Sequence, residues 1–340
     1  MRLFLLVVLP CWFWPIPFTA ILGTLAGGGL GMIAAFSLMF RACPGGSGRP
    51  TWRGLLEQLR YSVPLGVAGV VGATCSSLDQ VMVSARCKPE TFAIYSVGAF
   101  ELPLIGIVTG SITSVILVDY VRLYREGRTT QILDLAHRIM IKSASILLPL
   151  MILCLCVAPD LTVALFGKQY EASARVFRVY LLFLPIRTLS FGALLQATGN
   201  SRHILYQASM ELAINACLGW FAIGVLGAIG AAIAAVVVGY LQAVPYWVIV
   251  LRKTLRCRVS ELFPWMQLLR MLAVSTVGAI PILLMTHLTR SWPVSLRLVM
   301  NTATYGATTL ALFSALGWLH SLVPLDRICQ LVVFKQKRQV

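Results

Sequence analysis

Charged residues are scarce in this sequence, and long polar stretches are missing. Only 12% of its 340 residues are charged, 58% are hydrophobic and the mean hydropathy is +0.84, whereas about a quarter of the residues of an ordinary soluble domain are charged. Apolar runs of about 18–25 residues recur along the chain, which is the length that a helix needs to cross a bilayer. This composition excludes a soluble globular protein and predicts a polytopic membrane protein.

The sequence also lacks the residue patterns of metal, nucleotide and covalent catalytic sites. Its four histidines have no histidine partner at i,i+4, its nine cysteines form no CxxC pair, and no phosphate-binding loop occurs. The loops between the apolar runs are too short to hold a soluble catalytic domain. We therefore expect no enzyme activity, no cofactor and no metal site.

The basic residues are distributed as in a membrane protein. They lie in the short loops between apolar runs, without a basic stripe that alternates with aromatic residues, which argues against nucleic acid as a partner. Counted by alternate sides, 19 of the 28 fall on the side of the N-terminus and 7 on the opposite side, while Arg187 and Arg270 lie within apolar segments. Because cytoplasmic loops carry an excess of Lys and Arg, both termini are predicted to be cytoplasmic.

Ten membrane helices are predicted, an even number that agrees with two termini on one side. No stretch shows the alternation of a β-strand, so the fold class is an all-α transmembrane helical bundle. The predicted segments are approximately 3–20, 22–41, 60–83, 92–118, 138–158, 175–198, 204–223, 226–251, 266–288 and 298–320.

One predicted segment carries an arginine near its centre. The stretch VYLLFLPIRTLSFGALLQATG, residues 179–199, is nearly apolar except for Arg187, and a guanidinium at the centre of a bilayer helix costs roughly 2.5–3.5 kcal/mol on insertion scales. Helical spacing predicts that Tyr180 and Ser190 share the face of Arg187, and Pro185 predicts a bend. A charge at this depth is expected to face a water-filled cavity or a charged partner.

Other polar side chains within the predicted helices are candidate coupling or cavity residues. Gln207, Glu211 and Asn215 follow at i, i+4 and i+8 on the next segment, Glu101 lies in the fourth segment, and Asp79 lies near the outer end of the third. Two simpler interpretations stay open. Hydrogen-bonded polar residues can hold helices together without any further role, and the arginine can form a plain ion pair with Glu211, since the two lie on consecutive helices.

Three stretches resemble one family of transporters. The first, residues 55–120, starts with an amphipathic segment, has an aspartate near its outer end and continues after a short loop into IYSV. The second, residues 165–202, contains FGKQYEA and ends in ATGNSR, and the third, residues 213–243, contains NACL and GAIGAAIA. In this order they resemble the lipid-linked oligosaccharide and polysaccharide repeat-unit flippases of the multidrug/oligosaccharidyl-lipid/polysaccharide exporter superfamily.

That resemblance implies two six-helix lobes around a cationic cavity. It implies that an undecaprenyl-pyrophosphate-linked oligosaccharide crosses the bacterial inner membrane by alternating access, for lipopolysaccharide or exopolysaccharide biosynthesis. The expected partners are the lipid-linked oligosaccharide, membrane lipids, and a polysaccharide polymerase with other assembly proteins. Residues 51–255 correspond to the six-helix C-terminal lobe, 1–50 to a two-helix remnant of the N-terminal lobe, and 256–340 to two additional helices and a basic cytoplasmic tail. About the first four helices of the family pattern have no counterpart in the sequence.

The same resemblance suggests roles for the polar residues. Arg187, with Tyr180 and Ser190, is expected to bind the pyrophosphate, because a guanidinium stays charged and donates several hydrogen bonds to phosphate oxygens. Glu211 is expected to hold the arginine in place or to couple transport to an ion.

Three other functions are compatible with the sequence. A cation-coupled drug exporter of the same superfamily favours buried carboxylates without basic residues, and Arg187 argues against it. A flippase for a lipid-linked peptidoglycan precursor is expected to have more than one deep arginine. A non-transporting membrane subunit, or a degenerate fragment, in a polysaccharide synthesis complex is expected to tolerate loss of the arginine.

Overall fold

The computed structural model describes residues 17–42, 51–189, 191–289 and 292–316, and the regular secondary structure in these ranges is entirely helical. This confirms the predicted all-α fold class. A 3₁₀ turn at Lys168–Tyr170 and a π-helix at Gly239–Ala243 accompany the α-helices. In chain order the α-helices are α1 Pro17–Ala42, α2 Trp52–Arg86, α3 Pro89–Gly98, α4 Pro103–Arg125, α5 Thr129–Phe166, α6 Ser173–Leu181, α7 Leu184–Arg187, α8 Phe191–Ala197, α9 Ser201–Leu226, α10 Ala228–Val238, α11 Val244–Leu255, α12 Val259–Leu262, α13 Trp265–Gly278, α14 Ile280–Leu288 and α15 Val294–Ala315.

Several of the described helices are long enough to cross a membrane. By length and composition five qualify, and a sixth span results if α6–α7 and α8, which are bent by 42° at their junction, count as one. The protein is therefore a multi-pass membrane protein. Most of the first predicted segment, 3–20, lies outside the described residues. The five are Trp52–Arg86, Thr129–Phe166, Ser201–Leu226, Ala228–Leu255 and Trp265–Ile282.

Three segments that we predicted as continuous helices are interrupted. Segment 92–118 is divided into α3 and α4, segment 175–198 into α6, α7 and α8, and segment 266–288 into α13 and α14. Proline occupies one of the first two positions of α4, α7 and α14. Because proline lacks an N–H group and disfavours the helical conformation of the residue before it, it begins a new helix more readily than it continues one. The apolar pattern of the sequence continues through these breaks and therefore does not predict them.

The chain divides into two compact units. The first, Met1–Glu57, contains α1 and the beginning of α2, and the second, Gln58–Val340, contains the other helices. In the second unit α5 is central, because α4, α6, α13 and α15 all pack against it. One hydrophobic cluster surrounds Ile132 and Met140 with side chains of α4, α8 and α11, and another surrounds Leu147 and Met151 with side chains of α6, α7 and α13.

Helices α9 and α10 form a tight hairpin that supports one side of the candidate site. Gly227 follows α9 with a φ of +70° and a ψ of −158°, a backbone conformation that is essentially restricted to glycine. Three residues later, a Cβ atom added at Gly230 would lie 2.2 Å from the carbonyl oxygen of Ala222. Glycine at position 230 therefore allows the two helix backbones to approach closely.

Candidate functional site

Two opposite charges meet where two helices are interrupted. Glu101 lies in the unwound residues between α3 and α4, and Arg187 is the last residue of α7. The Nη1 atom of Arg187 lies 2.5 Å from Oε1 of Glu101, and the two side chains are 42% and 52% exposed. Irregular backbone at membrane depth is tolerated where it lines a cavity, and discontinuous helices often present charged groups there.

A cavity of about 290 Å³ lies beside this ion pair. Its walls come from α2, the α3–α4 break, α4, α6, α7, the segment between α6 and α7, α9 and α10. This volume is just below the usual range for small-molecule pockets, about 300–1,000 Å³. The polar lining residues are Cys75, Ser76, Asp79, Glu101, Tyr180, Arg187, Glu211 and Asn215.

A chain of three hydrogen-bonded side chains runs through the cavity wall. The buried Tyr95 hydroxyl donates to Oδ2 of Asp79 over 2.9 Å and lies 2.8 Å from the hydroxyl of Tyr180. The Tyr95 hydroxyl has a single hydrogen, which it donates in the bond to Asp79. It therefore accepts the hydrogen bond that the Tyr180 hydroxyl donates. The ring of Tyr180 stacks on Phe183, with centroids 6.2 Å apart. The buried aspartate is thus connected to a tyrosine at the cavity surface.

Helix α9 contributes a second polar group to the cavity. Gln207 Nε2 donates to Oε2 of Glu211 over 2.6 Å, and Asn215 Nδ2 lies 3.9 Å from the sulfur of Cys75 on α2. The Oδ1 atom of Asn215 is buried and has no hydrogen-bond partner among the described residues. An unpaired buried acceptor is costly, by about 1–3 kcal/mol.

The described lining carries more acidic than basic groups. Arg187 stands among three carboxyl side chains, those of Asp79, Glu101 and Glu211. The resemblance implied a cationic cavity between two lobes, and the cavity described here has one basic and three acidic side chains in its lining. The arginine nevertheless remains half-exposed beside the cavity.

The structure brings most of the predicted site residues together. Gln207 contacts the cavity only through Glu211, and Ser190 lies outside the described residues. The residues that line the cavity directly are Asp79, Glu101, Tyr180, Arg187, Glu211 and Asn215.

One interpretation that the sequence left open is wrong. Arg187 does not pair with Glu211, because the α3–α4 break brings Glu101 against the arginine while Gln207 hydrogen-bonds to Glu211. Tyr180 on α6 and Arg187 on α7 both line the cavity.

Tyr95 was not among the predicted site residues. It is fully buried and joins Asp79 to Tyr180 from its place on α3. A buried tyrosine hydroxyl usually finds a hydrogen-bond partner, so a tyrosine within a predicted apolar helix was the signal that the sequence offered. Among the described residues, no group of three or more His, Cys, Asp or Glu side chains is placed to hold a metal ion.

The chain is similar to a known protein family and to a known structure. Residues 21–175 match the model of a family described as polysaccharide biosynthesis protein. No curated protein matches the sequence. Among solved structures, the lipid II flippase MurJ in an inward closed conformation matches with a TM-score of 0.65 at 15% identity, over 93% of this chain and 66% of that flippase.

These matches bear directly on the resemblance seen in the sequence. The structural likeness shows the fold, and the family match includes the whole of the first quoted stretch, residues 55–120. The resemblance is thus supported by a polysaccharide biosynthesis family over residues 21–175 and by the fold of a lipid II flippase. The chain spans 66% of the length of the flippase that it matches.

Proposed function

We propose that this protein carries an undecaprenyl-pyrophosphate-linked oligosaccharide across the bacterial inner membrane, by alternating access, for polysaccharide biosynthesis. The observation that carries the proposal is the half-exposed guanidinium of Arg187 at a helix break beside a cavity. The family match and the flippase fold support the same class of substrate. The protein acts in this proposal as a transporter without chemical catalysis, and residues 51–255 form its working lobe.

In this proposal Arg187 binds the pyrophosphate. A guanidinium offers five N–H donors in a planar fork that matches phosphate oxygens. Glu101 contacts the guanidinium through Nη1, so most of that donor capacity is left for a phosphate. In this proposal the pyrophosphate displaces the carboxylate of Glu101 from the guanidinium when it binds.

The size of the cavity limits which part of the substrate it holds. About 290 Å³ is enough for a pyrophosphate and the sugar next to it, but an oligosaccharide with its polyprenyl chain is much larger. In our proposal the lipid chain stays in the bilayer, and the polar headgroup enters beside Arg187. Recognition then depends on the pyrophosphate more than on the distant sugars.

A second candidate function is favoured by the acidic lining. Asp79, Glu101 and Glu211 supply the carboxyl groups that a cation-coupled exporter would use, and such an exporter would take an organic cation instead of a lipid-linked anion. In that case Arg187 serves to neutralise Glu101. The two candidates assign opposite charge to the transported compound.

Transport in proteoliposomes distinguishes the two. Purified protein would be reconstituted with a fluorescent polyprenyl-pyrophosphate-linked N-acetylglucosamine or with ethidium, and movement across the bilayer would be followed by quenching. We expect movement of the lipid-linked sugar, its loss in Arg187→Ala, and normal movement in Arg175→Ala. Arg175 is the matched control because it is exposed on α6 and does not line the cavity.

Either of two results would contradict the proposal. If Arg187→Ala moves the lipid-linked sugar as fast as the unmodified protein at equal abundance, the guanidinium does not bind the substrate. If only ethidium moves, and Glu211→Gln abolishes its movement, the exporter is correct.

A further inference from the structure

The apolar stretch that includes α10 and α11 is interrupted by a π-helix. Residues Gly239–Ala243 form this segment, although π-helices account for well under 1% of residues in globular proteins. Gln242 within it is buried, and its amide has no hydrogen-bond partner among the described residues. π-Helices are frequently found at functional sites. The contacts of this π-helix indicate its role in the protein.

The π-helix packs on the turn that precedes Arg187. The hydroxyl of Tyr240 donates to the carbonyl oxygen of Leu182 over 2.8 Å. A Cβ atom added at Gly239 would lie 2.8 Å from Cε1 of Phe183 and 3.2 Å from Cδ1 of Ile186. Two consecutive residues of the π-helix therefore hold the chain between Leu182 and Ile186, just before the arginine.

The helix that carries Arg187 is short and follows a change in the backbone hydrogen bonding. It comprises only Leu184–Arg187 and continues from α6 through a tighter turn, in which the amides of Leu182 and Phe183 donate to the carbonyl oxygens of Val179 and Tyr180. Pro185 removes one of its N–H donors. The amide of Arg187 donates to the carbonyl oxygen of Phe183, so the direction of the arginine depends on where this turn is held.

We propose that the π-helix Gly239–Ala243 is a positioning element for Arg187, with Tyr240 as its positioning residue. Its hydroxyl fixes the carbonyl of Leu182, and Gly239 allows Phe183 to approach, so that α7 directs the guanidinium into the cavity. The consequence for transport rests on the proposed function. The consequence for local order is independent of it.

Two measurements test this role. The first is amide hydrogen exchange of residues 183–188 without substrate, compared between the unmodified protein, Tyr240→Phe and Tyr246→Phe. Tyr246 is the matched control because its hydroxyl contacts His203 over 3.1 Å on α9, away from the cavity lining. We expect exchange at residues 183–188 to rise in Tyr240→Phe by roughly fivefold, the effect of losing one hydrogen bond, and to stay unchanged in Tyr246→Phe.

The second measurement is the transport rate of the lipid-linked sugar in proteoliposomes. Gly239→Ala is expected to slow transport, and adding Phe183→Leu is expected to restore part of the rate, because the shorter side chain makes room for the new methyl group. Rates are compared at equal amounts of folded, monodisperse protein, so that a loss caused by misfolding does not enter the comparison.

The outcomes separate this inference from the proposed function. Unchanged exchange in Tyr240→Phe, or no rescue of Gly239→Ala by Phe183→Leu, overturns the positioning role. Raised exchange together with transport that does not depend on Arg187 upholds the positioning role and overturns the proposed function.

Discussion

Glu101 and Arg187 form an ion pair that a phosphate can replace. Both side chains are about half-exposed, and the pair is made through one guanidinium nitrogen. Ion pairs exposed to this degree contribute about 0–1 kcal/mol, far less than a fully buried pair. A pyrophosphate with two negatively charged phosphoryl groups is therefore able to compete for the arginine.

Replacing the carboxylate of Glu101 is expected to strengthen anion binding. In Glu101→Gln, affinity for farnesyl diphosphate in detergent micelles should rise roughly two- to fivefold, because the competing charge beside Arg187 is gone. Isothermal titration calorimetry measures this, with Glu171→Gln, an exposed carboxylate outside the cavity lining, as the control. If the pair serves only to hold helices together, Glu101→Gln should instead weaken binding as Arg187→Ala does.

Single site residues were predictable where a charged side chain lies within an apolar segment. Arg187, Glu211 and Glu101 stood out because each is charged within an apolar run, and the structure places all three on one cavity. Their pairing was not predictable, since Glu101 and Arg187 are 86 positions apart and their contact depends on which helix breaks face each other. Tyr95 was missed because an aromatic residue in an apolar helix is ordinary until its neighbour is known.

At the scale of helices, the α9–α10 hairpin depends on one glycine. In Gly230→Ala the added methyl would overlap the carbonyl of Ala222 at 2.2 Å, and a backbone atom has no rotamer by which to move away. Overpacking of this kind typically costs about 1–3 kcal/mol, and a rigid backbone neighbour puts the effect at the upper end.

Thermal unfolding monitored by size-exclusion chromatography tests this expectation. Gly230→Ala should lower the melting temperature or abolish the monodisperse peak. Gly224→Ala is the control, because its nearest neighbour would be Arg86 Nη1 at an ordinary 3.7 Å. Equal behaviour of the two variants would show that the close approach at Gly230 is not required.

A second element-scale contact fixes the last described helix. Arg297, near the start of α15, donates through Nε to Oδ2 of Asp160 on α5 over 2.8 Å and through Nη2 to Oδ1. The two side chains are only 22% and 12% exposed. Removing one partner of such a buried pair costs about 3–5 kcal/mol, because the other charge is left unpaired.

We therefore expect Asp160→Asn to loosen α15 from α5. Hydrogen exchange of residues 294–315 should increase, and the exchanged pair Asp160→Arg with Arg297→Asp should restore part of the protection. Unchanged exchange in Asp160→Asn would mean that α15 is held by its apolar contacts alone.

The continuous helices were easier to predict than the broken ones. Segments 138–158 and 204–223 correspond to α5 and α9, whose apolar runs are uninterrupted by a structural break. The breaks next to Glu101 and Arg187 depend on how Pro103 and Pro185 are accommodated. Proline also occurs inside α5, at Pro149 and Pro159, without ending that helix. Proline alone therefore does not locate a break, and packing decides the outcome.

At the scale of the whole molecule, the composition determined the class of protein. A mean hydropathy of +0.84 and the loop positions of Lys and Arg predicted a helical membrane protein, and the described helices agree. The cytoplasmic location of both termini stays a prediction, as does the division into residues 1–50, 51–255 and 256–340. The likeness of fold to the matched flippase covers 93% of this chain, whereas the family match covers residues 21–175.

The central claim is that Arg187 recognises a pyrophosphate. Its most direct test is the affinity of the purified protein for farnesyl diphosphate and for farnesol, which share the same chain and differ in charge. We predict that the unmodified protein prefers the diphosphate and that Arg187→Ala binds the two compounds equally. A preference for the diphosphate that persists in Arg187→Ala would contradict the account.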